Sequence, residues 1–143
     1  MVGDATVDIS VEHQAAPTVR ARDIHQARTA VLNVSVAENV EDYMVRLITA
    51  TRVEKNRAQA TSADSAFTKF IAFGASPRGT LALDSCARAH AWLNGRGHVS
   101  PADVQAVVHD VLRHRLVLSF EAEANGVTSD HVIDELVRNV AVP

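Results

Sequence analysis

Val104, Val107, Val108, Val111 and Leu112 stand at the spacing i, i+3, i+4, i+7, i+8 directly after Ser100-Pro101-Ala102-Asp103. That period places five apolar side chains on one face of a helix, and the face has to be buried against something. The start of the helix is marked as clearly as its face. Ser100 can cap it, Pro101 occupies the first helical position, where a missing N–H does no harm, and Asp103 completes an acidic variant of the capping box.

The same pattern recurs along the chain. Residues 21–33 carry Ile24, Ala27, Val31 and Leu32 on one side. Ser35 is predicted to cap a helix with Glu38 as its capping-box partner. The stripe of this helix is Val40, Tyr43, Met44, Leu47 and Ile48, and it ends near Arg52 or Val53. Ser76, with Pro77 behind it, is predicted to cap a third helix running to Leu93 or Asn94, with Gly95 just past its end. On that helix Ala82, Leu83, Cys86, Ala89, His90 and Leu93 share a face whose small residues would let another helix approach. Thr128 caps a last helix with Val132, Ile133, Leu136, Val137 and Val140 as its inner side.

The stretches between are less regular. Residues 1–19 lack helical period. Residues 54–66 are polar and read as an exposed loop, and residues 121–126 end at a glycine turn. The short apolar runs 67–73 and 113–120 can pair as a minor two-strand element. The expected fold is therefore all-α, a compact bundle of five helices with that small β element, and without an internal repeat.

Composition narrows the function. Hydrophobic residues make up 47% of the 143 and aromatics only 4%, so the core must be aliphatic. The net charge of -3 lacks the basic footprint of a nucleic-acid binder. No apolar run is of membrane-spanning length and no signal peptide opens the chain, so no membrane partner is expected and a cytoplasmic setting is the natural reading. A single cysteine, Cys86, fits a reducing compartment, and its place on the small-residue face argues for burial.

Arg78 breaks the pattern. It stands in the first turn of the third helix, where the dipole is positive and a cation costs roughly 0.3–1 kcal/mol. The next acid in the sequence is Asp84. A helix start attracts anions, and a guanidinium there adds a fork suited to phosphate oxygens. A plainly exposed or salt-bridged arginine is the alternative. Other candidates are weaker. The seven histidines lack ligand spacing for a metal, and Ser76 has no motif of a nucleophile. Arg113 and Arg115 could face phosphate or a neighbouring subunit, or simply complement a helix C-terminus. Trp92 could anchor a contact with another domain or pack in the core.

Several segments taken together resemble the C-terminal lid of MoxR-type AAA+ ATPases. These are Tyr43 with Leu47-Ile48-Thr49-Ala50-Thr51-Arg52, Gly74-Ala75-Ser76-Pro77-Arg78, Ala87-Arg88-Ala89, Gly95 through Val104, Val111 through Arg115, Glu121-Ala122 with Gly126, and the closing Val140-Ala141-Val142-Pro143. The match covers residues 18–143, with Gly79 where the pattern has alanine. The resemblance implies an AAA+ lid fold, with Arg78 as the second-sensor arginine and Ser76 beside it at the nucleotide. It also implies ring oligomers, hexamers by family habit, with neighbouring protomers and the ATPase core as partners. Chaperone-like work with von Willebrand factor A domain proteins is the family theme.

The chain has no Gly-x4-Gly-Lys-Ser/Thr loop. Its only lysines, Lys55 and Lys69, are followed by Asn56 and Phe70, and no apolar strand ends in Asp-Glu. The expectation is a lid that does not hydrolyse ATP by itself. ATP and magnesium would be held through an ATPase core, to which residues 1–19 are the connector. A freestanding helical protein-interaction module without nucleotide binding is the alternative.

Overall fold

The computed structural model describes residues 19–52 and 67–143. Residues 1–18 of the expected connector and the loop expected at 54–66 lie outside the described residues. Among the described residues there are six helices and one two-stranded antiparallel sheet. In chain order these are α1 (Ala21–Leu32), α2 (Glu38–Ala50), a 3₁₀ turn (Thr68–Phe70), β1 (Ile71–Phe73), α3 (Arg78–Leu93), α4 (Pro101–Leu112), β2 (Val117–Leu118), α5 (Phe120–Ala124) and α6 (Ser129–Asn139).

The fully buried interior is aliphatic around one tyrosine. Tyr43, Met44 and Leu47 of α2, Leu83 of α3, Val104, Val108 and Leu112 of α4, and Val132, Ile133 and Leu136 of α6 meet there. Burying each such side chain is worth roughly 1.5–3 kcal/mol, so the stripes on α2, α4 and α6 hold the bundle together. The helix ends behave as their sequences dictate in three cases. Thr128 accepts the His131 N–H at 3.2 Å. Asp103 closes its capping box on Ser100. Gly95 takes φ +71, and the Arg96 N–H reaches back to the Ala91 carbonyl at 2.9 Å, which terminates α3.

Four local expectations are corrected. Ser35 does not cap α2, which begins at Glu38 after Ala37 without a side-chain cap. The backbone of Ser35 is committed elsewhere: its N–H donates to the Gly97 carbonyl at 3.0 Å and its carbonyl accepts from Val99 at 2.9 Å, a parallel bridge to His98. Ser76 does not cap α3 either. The Gly79 N–H donates to the Ser76 carbonyl at 2.8 Å and the Thr80 N–H to the Pro77 carbonyl at 3.0 Å, so backbone oxygens fill the role the hydroxyl was expected to take.

The buried side of α3 is the row Gly79, Leu83, Ala87 and Ala91, not the row through Cys86 and Leu93, which are exposed. Alanine occurs on several sides of α3, so apolar period alone could not choose between rows. The smallest residues go where α2 and α4 come nearest: an added Cβ at Gly79 would stand 2.8 Å from Ile48 Cδ1. Finally, Phe120 opens the short helix α5 instead of ending an extended run. The minor sheet is present, with Ile71 opposite Leu118 and Phe73 opposite Val117.

Candidate functional site

The last turn of α2 is built to grip the segment that leads into α3. Thr51 is fully buried. Its hydroxyl donates to the Ile48 carbonyl at 2.7 Å and accepts the Ala75 N–H at 2.9 Å. Arg52 adds a second hold, with Nε donating to the Ala75 carbonyl at 3.1 Å. Both backbone polar groups of Ala75 are thus satisfied by two consecutive residues just past the end of α2. Gly74 makes the approach possible, since a Cβ there would lie 2.2 Å from the Thr51 carbonyl oxygen.

Three residues past this grip, Arg78 opens α3 and is exposed. It has no side-chain hydrogen bond or ion pair with another described residue. Asp84, the nearest acid downstream, is taken, because its carboxylate receives Arg88 Nε at 2.9 Å. Ser76 is exposed beside Arg78. Two first-turn N–H groups, those of Gly79 and Thr80, are occupied within the turn. The positive character of this helix mouth therefore rests on the guanidinium more than on free amides.

The remaining candidates fall into separate places. Arg88 also donates through Nη1 to the Val34 carbonyl, tying α3 to the α1–α2 connection. Arg113 is engaged within the bundle, with Nε on Asp130 at 2.7 Å and Nη1 on Asp110 at 3.1 Å. The bond to Asp130, then that to Asp110, raises its pKa. Arg115 is half-buried and its Nε is buried without a hydrogen-bond partner among the described residues. Trp92, 37% exposed, lines an apolar groove of about 880 Å³ between α1 and α3. Ile24, Leu32 and Leu93 form its walls with Trp92, while α1 itself has no fully buried residue. Among the described residues no group of three or more His, Cys, Asp or Glu could hold a metal ion. None of the described helices is long and apolar enough to cross a membrane.

A second polar centre escaped the sequence reading except for its capping box. Asp103 is fully buried and accepts from Arg96 Nη1 at 2.6 Å, from Arg96 Nη2, from the Ser100 N–H at 2.8 Å and from the Ser100 hydroxyl at 2.7 Å. His90 Nδ1 lies 2.6 Å from Oδ1, the oxygen that also accepts from Arg96 Nη2. Burial alone would raise the Asp103 pKa, but the hydrogen bonds from Arg96, Ser100 and His90 outweigh it and hold the carboxyl well below the usual carboxylate range. An ionised carboxylate only accepts, so His90 Nδ1 carries the proton between them. The arrangement staples the 95–100 turn to α3 and α4.

The helical bundle with its small two-stranded sheet fits one class, the helical lid domain of AAA proteins. The chain belongs to the AAA lid domain family, which matches residues 63–136. Chaperone MoxR1 of Mycobacterium tuberculosis is 35% identical over 130 residues, covering 91% of this chain and 33% of that protein. Protein MoxR of Methylorubrum extorquens is 33% identical over 107 residues, covering 75% of this chain and 30% of that one. A crystal structure from Cytophaga hutchinsonii with an inferred ATPase designation superimposes with a TM-score of 0.74 at 32% identity, covering 85% of this chain and 36% of that one. The chain is a lid of the MoxR type, and it spans about a third of the length of the curated relatives it matches.

Proposed function

We propose that this chain acts as the lid of a MoxR-like AAA+ ATPase, closing over ATP and turning Arg78 toward the phosphates. The observation that carries the proposal is Arg78 itself: an exposed cation at a helix start that disfavours it, with no acid among the described residues to neutralise it and a backbone mount clamped from behind. An anion opposite the guanidinium converts the local penalty into a charge-assisted contact. ATP binding, hydrolysis and the magnesium ion belong to the ATPase core in this proposal, and the lid supplies charge and closure.

The whole protein would be an oligomer, a hexameric ring by the family resemblance, with chaperone-like work in assembling protein complexes and von Willebrand factor A domain proteins as candidate partners. The apolar groove is proposed to dock on the ATPase core. Val19, the first described residue, lines it. The same groove is what favours the second reading, a freestanding protein-interaction module that binds no nucleotide.

Nucleotide titration of the longer protein containing the core tests the role of Arg78. Arg78→Ala is expected to weaken ATP binding about 10- to 100-fold, the range for a lost hydrogen bond to a charged group. Unchanged affinity together with unchanged turnover would refute that role.

A further inference from the structure

We infer that Thr51 and Arg52 are positioning residues for Arg78, setting where its guanidinium stands when the lid closes; the inference rests on the role proposed above for Arg78. The chain between β1 and α3 is only four residues long, Gly74 to Pro77, and Ala75 in its middle is held at both backbone groups. Thr51 Oγ1 accepts the Ala75 N–H, and Arg52 Nε donates to the Ala75 carbonyl. The hydroxyl is itself aimed by donating to the Ile48 carbonyl. A Cβ at Gly74 would lie 2.2 Å from the Thr51 carbonyl oxygen, so the segment passes close against the end of α2. One turn further on, a Cβ at Gly79 would lie 2.8 Å from Ile48 Cδ1. The end of α2 and the start of α3 thus meet at residues 74, 75 and 79, on either side of the segment that carries Arg78.

A guanidinium needs placement within about half an ångström to use its fork on a phosphate, and loop flexibility would spoil that. Arg52 lies at a helix C-terminus, where a cation is also electrostatically favoured. Dipole complementarity alone does not explain why its Nε is spent on one particular carbonyl 23 residues away. Holding that carbonyl explains it.

The test is a double-mutant cycle on the full-length ATPase, reading affinity for a fluorescent ATP analogue and kcat/KM for ATP. Arg52→Ala is expected to lose about 3- to 10-fold in affinity when Arg78 is present and nothing further in an Arg78→Ala background. Thr51→Val should behave like Arg52→Ala, and Thr51→Ser should restore wild-type affinity because it keeps the hydroxyl. Arg52 is exposed, so its variant serves if Thr51→Val does not fold. Arg52→Ala with wild-type affinity overturns the inference. So does a loss that adds fully to that of Arg78→Ala, which would mean an independent contact or a general loss of structure. If Arg78→Ala itself has no effect, the reading of Arg78 fails and the inference fails with it; a sensitive Arg78→Ala with an additive Arg52→Ala sinks the inference alone.

Discussion

The guanidinium of Arg96 forks onto the carboxylate of Asp103, which has no exposed surface, while Arg96 keeps about a third of its side chain in solvent. The pair joins the turn after α3 to the first turn of α4. Ser100 and His90 fill the remaining acceptor positions of the carboxylate, so a buried charge is held by donors from three directions.

Asp103→Asn is expected to destabilise this chain by about 2–3 kcal/mol, somewhat less than the roughly 3–5 kcal/mol of a fully buried broken pair, because Arg96 can rehydrate. The amide would also set N–H groups against donors. The pH dependence has a definite sign. The native pKa is depressed, so between it and the unfolded value near 4 the unfolded chain binds more protons. The stabilisation is fully present above the unfolded pKa and is lost as pH falls through the native one. Urea melts from pH 6 to pH 2 should show a steeper acid loss in wild type than in Asp103→Asn. Parallel curves would contradict the assignment.

Gly79→Ala offers a test of packing against propensity. Alanine gains up to about 1 kcal/mol over glycine within a helix. Here its Cβ would meet Ile48 Cδ1 at 2.8 Å, inside a contact that must give. In the wild-type background the substitution should be neutral or destabilising. In an Ile48→Val background, which removes Cδ1, it should stabilise by up to about 1 kcal/mol. Equal effects in both backgrounds, measured by chemical denaturation, would show that the two side chains do not compete for space.

Stability and nucleotide binding should move in opposite directions at Arg78. Arg78→Glu removes a cation from the positive end of α3 and adds an anion there. Each change is worth roughly 0.3–1 kcal/mol, so this chain should gain about 0.6–2 kcal/mol. Low salt should enlarge the gain, since an exposed charge is screened. A thermal melt in which Arg78→Glu is less stable than wild type would mean that the arginine has a structural partner.

The helices were legible because burial writes a local period into a chain. Val40 through Ile48, Val104 through Leu112 and Val132 through Leu136 each announce their inner face within a dozen residues, and all three faces turn inward, with Val107 and Val137 partly buried and Val140 past the end of α6. Caps that depend on neighbouring residues, Asp103 on Ser100 and Thr128 on His131, were readable for the same reason. Arg78 was conspicuous through an electrostatic rule that also acts within one turn.

Ser35 and Ser76 were misjudged because a serine before an acidic or proline-led segment satisfies the local rule whether or not its groups are needed elsewhere. Ser35 bonds to Gly97, 62 residues away, and nothing near Ser35 signals it. The face of α3 was misassigned because alanines on several sides carry almost no directional signal, so only the arrival of α2 and α4 chose the row through Gly79. The grip of Thr51 and Arg52 on Ala75 joins residues 24 and 23 positions apart, beyond any helical period. Local sequence thus settled where α2, α4 and α6 run, which of their sides turn inward and that a cation stands in the first turn of α3. Which helices meet, and what holds that cation in place, depended on hydrogen bonds and close contacts between distant residues, and these exist only once the chain has closed on itself.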